Sequence, residues 1–381
     1  MPKRIKIMHV LHAVGGVDVY LRLLLKYVDM EKFEFIIVHG TNDTEIPYLD
    51  KSGGVIKEYK LSVQREINPV LDFRSIRELR KILDQEKPDL IHAHSAKGGI
   101  IARSAAILKK ISVLYTPHAF SYLSAETDIK KKLFKGIEKI YKNSGNFILA
   151  TSPSEANRAI DEIGYKPEKV LVFNNSVEPV CSNEFNNQTT RFELPEDYIC
   201  SIGRPSYQKN IETMVEVFKR VKEQLPGLSF VLMGVGFHAP NEKEVKQLIK
   251  KYNLQDDFIM LPWVSREEIF PIIKKSKFYV STSRYEGLPY SIIESLALGK
   301  ACVVSDCDGN RDLIKNDFNG KIYQLEKLID KMPTGIIQLL QNSELRNKFE
   351  QNAYILFEQN YNIEKTIRLL EEIYEEASSK S

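Results

Sequence analysis

Short, nearly unbroken apolar runs alternate with longer stretches in which apolar residues recur every three or four positions. "IKIMHVL", "FEFIIVHG", "VIKEYKLS", "LIHAHS", "VLYTPHA", "NFILATS" and "VLVFNNS" are strand-like. Between them lie helical patterns such as "VDVYLRLLLKYV", "FRSIRELRKILDQEK" and "GGIIARSAAILKK". Strands apolar along their whole length, separated by helices, predict a parallel sheet covered on both faces. The polar segment 178–197, "EPVCSNEFNNQTTRFELPED", breaks this rhythm and predicts a linker. A second series follows, "YICSIGR", "SFVLMGVG", "FIMLPWV", "KFYVSTS", "ACVVSD" and "GKIYQL", and the chain is helical from about 326. The expected architecture is two doubly wound α/β domains facing one another across a cleft at the carboxyl ends of their strands.

One element departs from this apolar grammar. "SRYEGLPYSIIESLALGK", residues 283–300, holds Glu286 and Glu294 in an otherwise apolar or small setting. Pro289 suits a first helical turn and Gly299 a helix stop, predicting a helix over 289–298 with Glu286 in the loop before it. The two carboxylates then lie on the order of 10 Å apart. That spacing is wide for a glycosidase pair, which needs ~5–5.5 Å or ~6.5–9.5 Å. It suits contacts to different parts of an extended ligand such as a nucleotide-sugar, with Glu294 on ribose and Glu286 on sugar. The helix start at Gly287, Leu288 and Pro289 would face the diphosphate or sugar. The alternative is that both glutamates pair with surface Lys or Arg.

Composition narrows the class. The 381 residues exceed one ordinary core, and 43% apolar with 28% charged residues describes a globular protein. A net charge of +3 argues against nucleic-acid binding. No apolar run reaches the ~18–20 residues of a membrane span. The basic start "MPKRIKIMHVLHAVGG" lacks a cleavage site and is not expected to be a signal peptide. Cys181, Cys200, Cys302 and Cys307 have no framework spacing, which fits a reducing cytoplasm.

Further polar groups fall at strand ends. "SIGRPSYQKN" places Arg204 and Lys209 just before a helix, an arrangement suited to phosphate. "HAVGGVDVY" puts Gly15 and Gly16 at a helix opening, where backbone can approach a ligand closely, and "MGVG" does the same with Gly234 and Gly236. The G-x-G-x-x-G dinucleotide fingerprint is absent.

Taken in order, Gly15-Gly16, "TPHAF", "GRPSYQKN", "YEGLPYSIIE" and "SDCDGNRDLI" resemble the retaining family 4 glycosyltransferases of the GT-B fold, over nearly the whole chain. The resemblance implies a first domain, 1–177, on the acceptor side, with a helix at about 360–381 packing back onto it. It implies a second domain, 178–359, that binds a nucleotide-diphosphate-sugar. Arg204 and Lys209 would bind the diphosphate, Glu294 the ribose, Glu286 the sugar, and the backbone near Val264 in "PWVSREEI" the base. His118 would lie near the reacting carbon. His118, Glu286, Arg204 and Lys209 are the expected catalytic set. The acceptor would be a glycan or lipid-linked glycan, and the protein cytoplasmic or peripheral at the inner membrane face. Two positions depart from the family pattern: Asp312 stands where Glu is common, and Ala119 where Gly often follows the histidine.

His92 and His94 share one strand face and invite a zinc reading. No third ligand stands at suitable spacing, so neither metal nor another cofactor is expected. Asp306-Cys307-Asp308 spells D-x-D, but capping of a helix near Gly309 is the expected role. His94, Ser95, Phe120 and Tyr122 are expected on the acceptor side. After them, Ile129, Leu133, Ile137 and Ile140 recur at helical spacing among Lys130, Lys131, Lys132, Lys135, Lys139 and Lys142. Either this apolar stripe packs on the first sheet, or the lysines meet anionic headgroups while the Phe120–Leu123 loop dips towards a lipid-linked acceptor. A nucleotide-sugar 2-epimerase and a non-catalytic sugar-nucleotide-binding protein are the alternatives to a transferase.

Overall fold

The computed structural model describes residues 3–379 other than 14, 64–67, 108, 110, 126, 144–145, 181–189 and 237–238. Cys181 and the middle of the expected linker lie outside the described residues. The chain divides into two compact units, Met1–Ser176 with Ile363–Ser381, and Val177–Asn362.

The first unit is built on seven parallel strands: β1 (Ile5–Val10), β2 (Phe33–Gly40), β3 (Lys57–Leu61), β4 (Leu90–His94), β5 (Ser112–Thr116), β6 (Phe147–Ala150) and β7 (Val170–Val172). Their order is β3-β2-β1-β4-β5-β6-β7, so the winding reverses between β1 and β4. The helices are α1 (Gly16–Tyr27), α2 (Pro69–Glu86), α3 (Ser95–Ala106), α4 (Asp128–Tyr141) and α5 (Pro153–Arg158). Local chemistry sets their ends. Asn68 caps α2 by accepting the Leu71 N–H at 3.2 Å, with Pro69 in the first turn, where its missing N–H costs nothing. Leu79 and Leu83 of α2 and Ile101, Ala102 and Ala105 of α3 form a core with Met8, Val10, Ile36, Ile91 and Val113 of the sheet. Gly98 allows α3 to start tight against β1, because a Cβ there would lie 2.6 Å from the Val10 carbonyl oxygen.

The second unit has six parallel strands: β8 (Tyr198–Ile202), β9 (Ser229–Val235), β10 (Phe258–Pro262), β11 (Tyr279–Ser281), β12 (Cys302–Ser305) and β13 (Gly320–Tyr323). They run in the order β10-β9-β8-β11-β12-β13, reversing between β8 and β11. Around them lie α6 (Ile211–Lys222), α7 (Glu242–Lys251), α8 (Arg266–Lys275), α9 (Tyr290–Ala297), α10 (Asn310–Leu313), α11 (Leu328–Gln341) and α12 (Ser343–Asn360). Phe230 and Phe258 stack with centroids 4.7 Å apart, and Phe218 of α6 meets both edge-on. The last helix, α13 (Ile363–Ser379), belongs to the first unit. There the Tyr374 hydroxyl lies 2.8 Å from His92 Nδ1, and Glu371 accepts the Asp29 N–H.

In open α/β sheets, ligands bind beyond the carboxyl ends of strands where the winding reverses. Each unit therefore presents one such place, β1/β4 in the first and β8/β11 in the second.

Candidate functional site

At the β8/β11 reversal the structure gathers the residues of two separate sequence stretches. Glu286 is almost fully buried and has three partners: Lys209 Nζ at 2.8 Å, Ser283 Oγ at 2.7 Å and Gln208 Nε2 at 3.1 Å. Lys209 reaches it from the loop between β8 and α6, whose Asn210 turns the chain at φ +54°. Burial alone would lower the Lys209 pKa, but the Glu286 carboxylate more than offsets this and the ammonium is held charged. Half-buried Arg204 lies in the same loop.

Glu294 sits inside α9 and is buried, with Arg266 Nε 3.1 Å from its carboxylate. That N–H is not aimed at the carboxylate, so the pair is an ion contact without a hydrogen bond. Burial raises the Glu294 pKa to about 7, with Arg266 opposing the shift. Both glutamates thus pair with cations, but in the interior rather than at the surface.

α9 begins one residue later than expected and ends one earlier. Pro289 is its N-cap rather than a first-turn residue, because ψ 122° keeps it extended. Gly299, at φ +66°, closes it through bonds from Gly299 N–H to Leu296 and from Lys300 N–H to Ser295, a Schellman stop. Leu288 and Pro289 are buried and Gly287 half-buried. Gly309 stands against this loop: a Cβ there would lie 2.7 Å from the Gly287 carbonyl oxygen and 3.0 Å from Glu286 Cβ. Gly234 takes φ +90° at the end of β9, and Val264 is buried just before α8.

The N-cap of α10 is Gly309 itself rather than Asp306 or Asp308. Both carboxylates hold Arg311, at 2.7 and 2.6 Å, because the α10 turn brings that guanidinium back over them. Asp312 instead accepts the Gly309 N–H at 3.0 Å.

At the β1/β4 reversal the interior groups are neutral imidazoles, and the Asp43 carboxylate meets His12 Nδ1 at 2.7 Å in the loop after β1. His9 Nδ1 lies 2.9 Å from His94 Nε2, and His94 Nδ1 lies 3.1 Å from His118 Nε2. His92 is bonded to Tyr374 and to Thr116 Oγ1. Burial lowers the pKa of His9 and His118 to about 3, and that of His92 and His94 well below the ordinary value. A third histidine does therefore stand beside His92 and His94, correcting the expectation from spacing: His9, His92 and His94 place ring nitrogens within 4.8 Å of one another. Sequence separation hid it, since β1 and β4 neighbour each other only in the folded sheet. His94 is a buried member of this chain rather than a lining residue, while Ser95 is half-buried at φ +57°. Gly15 takes φ +64° with no heavy atom within 4 Å of a would-be Cβ, and Gly16 opens α1.

Phe120 and Tyr122 require correction. Both are 1% exposed and their rings stack at 5.5 Å, so they belong to the core and not to a loop that dips outward. His118 and Ala119 both have positive φ, +52° and +78°, which folds the following chain back into the unit. The Glu155 carboxylate secures this turn by accepting the Ala119 N–H at 2.7 Å. On α4 the buried residues are Glu138 and Tyr141, packed with Arg103, while Ile129, Leu133 and Ile140 are exposed at 81, 54 and 73%. Ile137 is half-buried, so of the expected stripe it is Ile129, Leu133 and Ile140 that do not pack on the sheet.

Sequence reasoning missed His9, Arg266, Gln208, Ser283, Asp43 and Arg311. Gln208 and Arg266 stand inside motifs already singled out. Asp43 accepts the Ala13 and Gly40 N–H groups and so ties down the loop after β1.

Two reversed-winding parallel sheets with these strand-end constellations define a two-domain α/β protein with a ligand-binding place at each reversal, and comparison with known proteins identifies the family. Residues 14–180 match the model described as glycosyltransferase family 4, and residues 182–356 the model described as glycosyl transferases group 1. The chain belongs to these glycosyltransferases and has the GT-B fold. It is 27% identical to the UDP-Gal:alpha-D-GlcNAc-diphosphoundecaprenol alpha-1,3-galactosyltransferase of Escherichia coli, with 97% of each chain covered. Among solved structures it resembles sucrose-phosphate synthase from Thermosynechococcus elongatus, with a TM-score of 0.84, 15% identity and all of both chains covered. It also resembles Anabaena Alr3699/HepE in complex with UDP and glucose, with a TM-score of 0.78, 14% identity and coverage of 97 and 99%.

Proposed function

We propose that this glycosyltransferase moves a sugar from a nucleotide-diphosphate-sugar to an acceptor hydroxyl with retention at the anomeric carbon, in the assembly of a lipid-linked surface polysaccharide. The observation that carries the reading is the cluster of Lys209, Gln208 and Ser283 around buried Glu286 at a sheet reversal. Glu286 offers a carboxylate to sugar hydroxyls, and Lys209 with Arg204 offers charge to a diphosphate. Glu294 is assigned to ribose. The relative named for a UDP-Gal donor and a diphosphoundecaprenol-linked acceptor supports the substrate class, and makes uridine diphosphate sugars the first to test. In the reaction, the bond from the anomeric carbon to the phosphate oxygen breaks and a bond to the acceptor oxygen forms on the same face. The acceptor proton passes to the leaving phosphate, whose charge Arg204 and Lys209 stabilise. With two cations in that role, no divalent metal is required.

Calorimetry with UDP, GDP and ADP and their nucleosides, followed by NMR of donor with a lipid-diphosphate-linked sugar acceptor, tests this. Tight binding of one diphosphate and an axial-to-axial transfer product are expected from an α-linked donor. Conversion of donor without acceptor would establish an epimerase instead, and an inverted product would remove the retaining assignment.

Helix α4 extends the proposal to location. No helix among the described residues is long and apolar enough to cross a membrane. The exposed Ile129, Leu133 and Ile140 beside exposed Lys130, Lys131 and Lys132 form an amphipathic face suited to an anionic bilayer surface. Co-sedimentation with anionic vesicles at low salt, lost at high salt and in a Lys130/Lys131/Lys132→Glu variant, is the expected result. A wild type that stays in the supernatant at low salt would exclude this contact.

A further inference from the structure

We infer that His94, itself fixed by His9, is a positioning residue that locks His118 as the tautomer carrying its proton on Nδ1. The three rings form a diagonal across three neighbouring strand ends. β1 pairs with β4 and β4 with β5, and each histidine lies two residues further along its strand direction than its neighbour's partner: His9 is opposite His92, and His94 is opposite Thr116. Successive rings are nearly parallel, at 15° and 24°, with centroids 5.2 and 5.4 Å apart. His9 and His94 are fully buried and His118 is half-buried, so the chain has one fully interior end and one end that reaches towards the surface.

Proton counting fixes the rest. Burial holds all three imidazoles neutral, and a neutral imidazole carries one N–H and one lone pair. Each nitrogen-to-nitrogen bond, at 2.9 and 3.1 Å, consumes one proton. Three rings therefore bring three protons to two bonds, and the remaining proton sits at one end: on His9 Nε2 or on His118 Nδ1. His9 Nε2 is buried without a hydrogen-bond partner among the described residues. A buried N–H without an acceptor is rarer and costlier than a buried lone pair without a donor. The proton accordingly leaves the interior end. His9 Nδ1–H donates to His94 Nε2, His94 Nδ1–H donates to His118 Nε2, and His118 keeps Nδ1–H.

The consequence is a defined polarity at the half-buried end. The ring presents an N–H donor and no lone pair, so it is a hydrogen-bond donor to an oxygen and not a general base. The positive φ of His118 and the Glu155 bond to the next N–H hold the backbone that carries it. His92 is outside this chain, because Tyr374 and Thr116 occupy both of its nitrogens. A role for that donor in sugar transfer rests on the proposed function, whereas the tautomer does not.

The test is long-range proton–nitrogen NMR of the full chain labelled with 15N-histidine, at neutral pH and without substrate. The expected spectrum shows His9, His94 and His118 all as Nδ1–H tautomers. In His94→Phe, His118 should become a mixture of tautomers. In His94→Asn, whose side-chain amide puts an N–H where Nδ1–H stood, the Nδ1–H form should return. An Nε2–H or doubly protonated His118 in the wild type overturns the inference, as does a pure Nδ1–H His118 in His94→Phe; the wild-type spectrum decides even where a variant fails to fold. With an active donor and acceptor pair, His94→Phe should lower kcat about tenfold, the scale of one hydrogen bond, leave nucleoside diphosphate affinity unchanged, and be partly rescued by His94→Asn. Absence of any transfer by the wild type would count against the proposed function alone, since the spectrum is read without it.

Discussion

The two sheet reversals solve one problem in opposite ways. Both place polar side chains where the strands end and water is scarce. The first unit lines the interior of its reversal with neutral imidazoles that bond to one another and keeps the Asp43 carboxylate in the loop beside His12, whereas the second uses carboxylates facing Lys209 and Arg266. A neutral network needs no counter-ion and holds a shape. An ion pair is exchangeable, because a ligand phosphate can take the cation while a ligand hydroxyl takes the carboxylate. Rigidity and exchange are thus divided between the units.

The difference carries a sign that pH can read. The histidines have folded pKa values below their ordinary 6.5, so their contribution to stability is full above 6.5 and is lost as pH falls towards 3. Glu294 is shifted upward, from 4.5 to about 7, so its contribution is full below 4.5 and is lost as pH rises to 7. The largest expected effect follows from the histidines. Displacing a pKa by one is worth about 1.4 kcal/mol, and the histidines together reach several kcal/mol. Hydrogen exchange at pH 5 should accelerate over β1, β4 and β5 well before β8, β11 and β12. Equal acceleration of both units would erase the contrast.

Next in size is Glu294→Gln, which removes a loss on the order of 3 kcal/mol between pH 4.5 and 7. Melting of the variant should lack the decline over that window that the wild type shows. Lys209→Ala should weaken nucleoside diphosphate binding by about 1.5–3 kcal/mol, the worth of a charged hydrogen bond, while nucleoside affinity hardly changes. Equal calorimetric losses for the two ligands would show that Lys209 serves only Glu286. The smallest effect belongs to Ala119→Gly. Its φ of +78° strains an L residue, and glycine there should stabilise the fold by about 1 kcal/mol, visible as a modest rise in Tm.

Much of the fold was legible because parallel strands buried on both faces leave an unmistakable apolar run, and helices between them a three-to-four periodicity. Glu286, Glu294 and Lys209 were legible because charged residues in apolar or small-residue surroundings demand a reason. Their partners were not. Arg266 meets Glu294, and His9 meets His94, through strand order, which local pattern does not encode. Phe120 and Tyr122 misled for a backbone reason: the two left-handed residues before them reverse the chain, and such a turn without glycine leaves no composition signal. The α4 stripe read equally as a core face or as a surface for a bilayer; Arg103 draws the Glu138 side inward by an ion pair, and Ile129 and Ile140 face outward.

The path of the chain also reaches into how the protein is made. The Tyr374 hydroxyl that holds His92, and the Glu371 carboxylate that accepts the Asp29 N–H, come from α13. A ribosome must translate the whole second unit before it supplies them. At ~5–20 residues per second, the first unit waits on the order of ten seconds or more with α1, β4 and β5 lacking the cover of α13. The part of the molecule encoded first is therefore completed last, and a nascent chain stalled before Ile363 should engage chaperones through its first unit rather than its second.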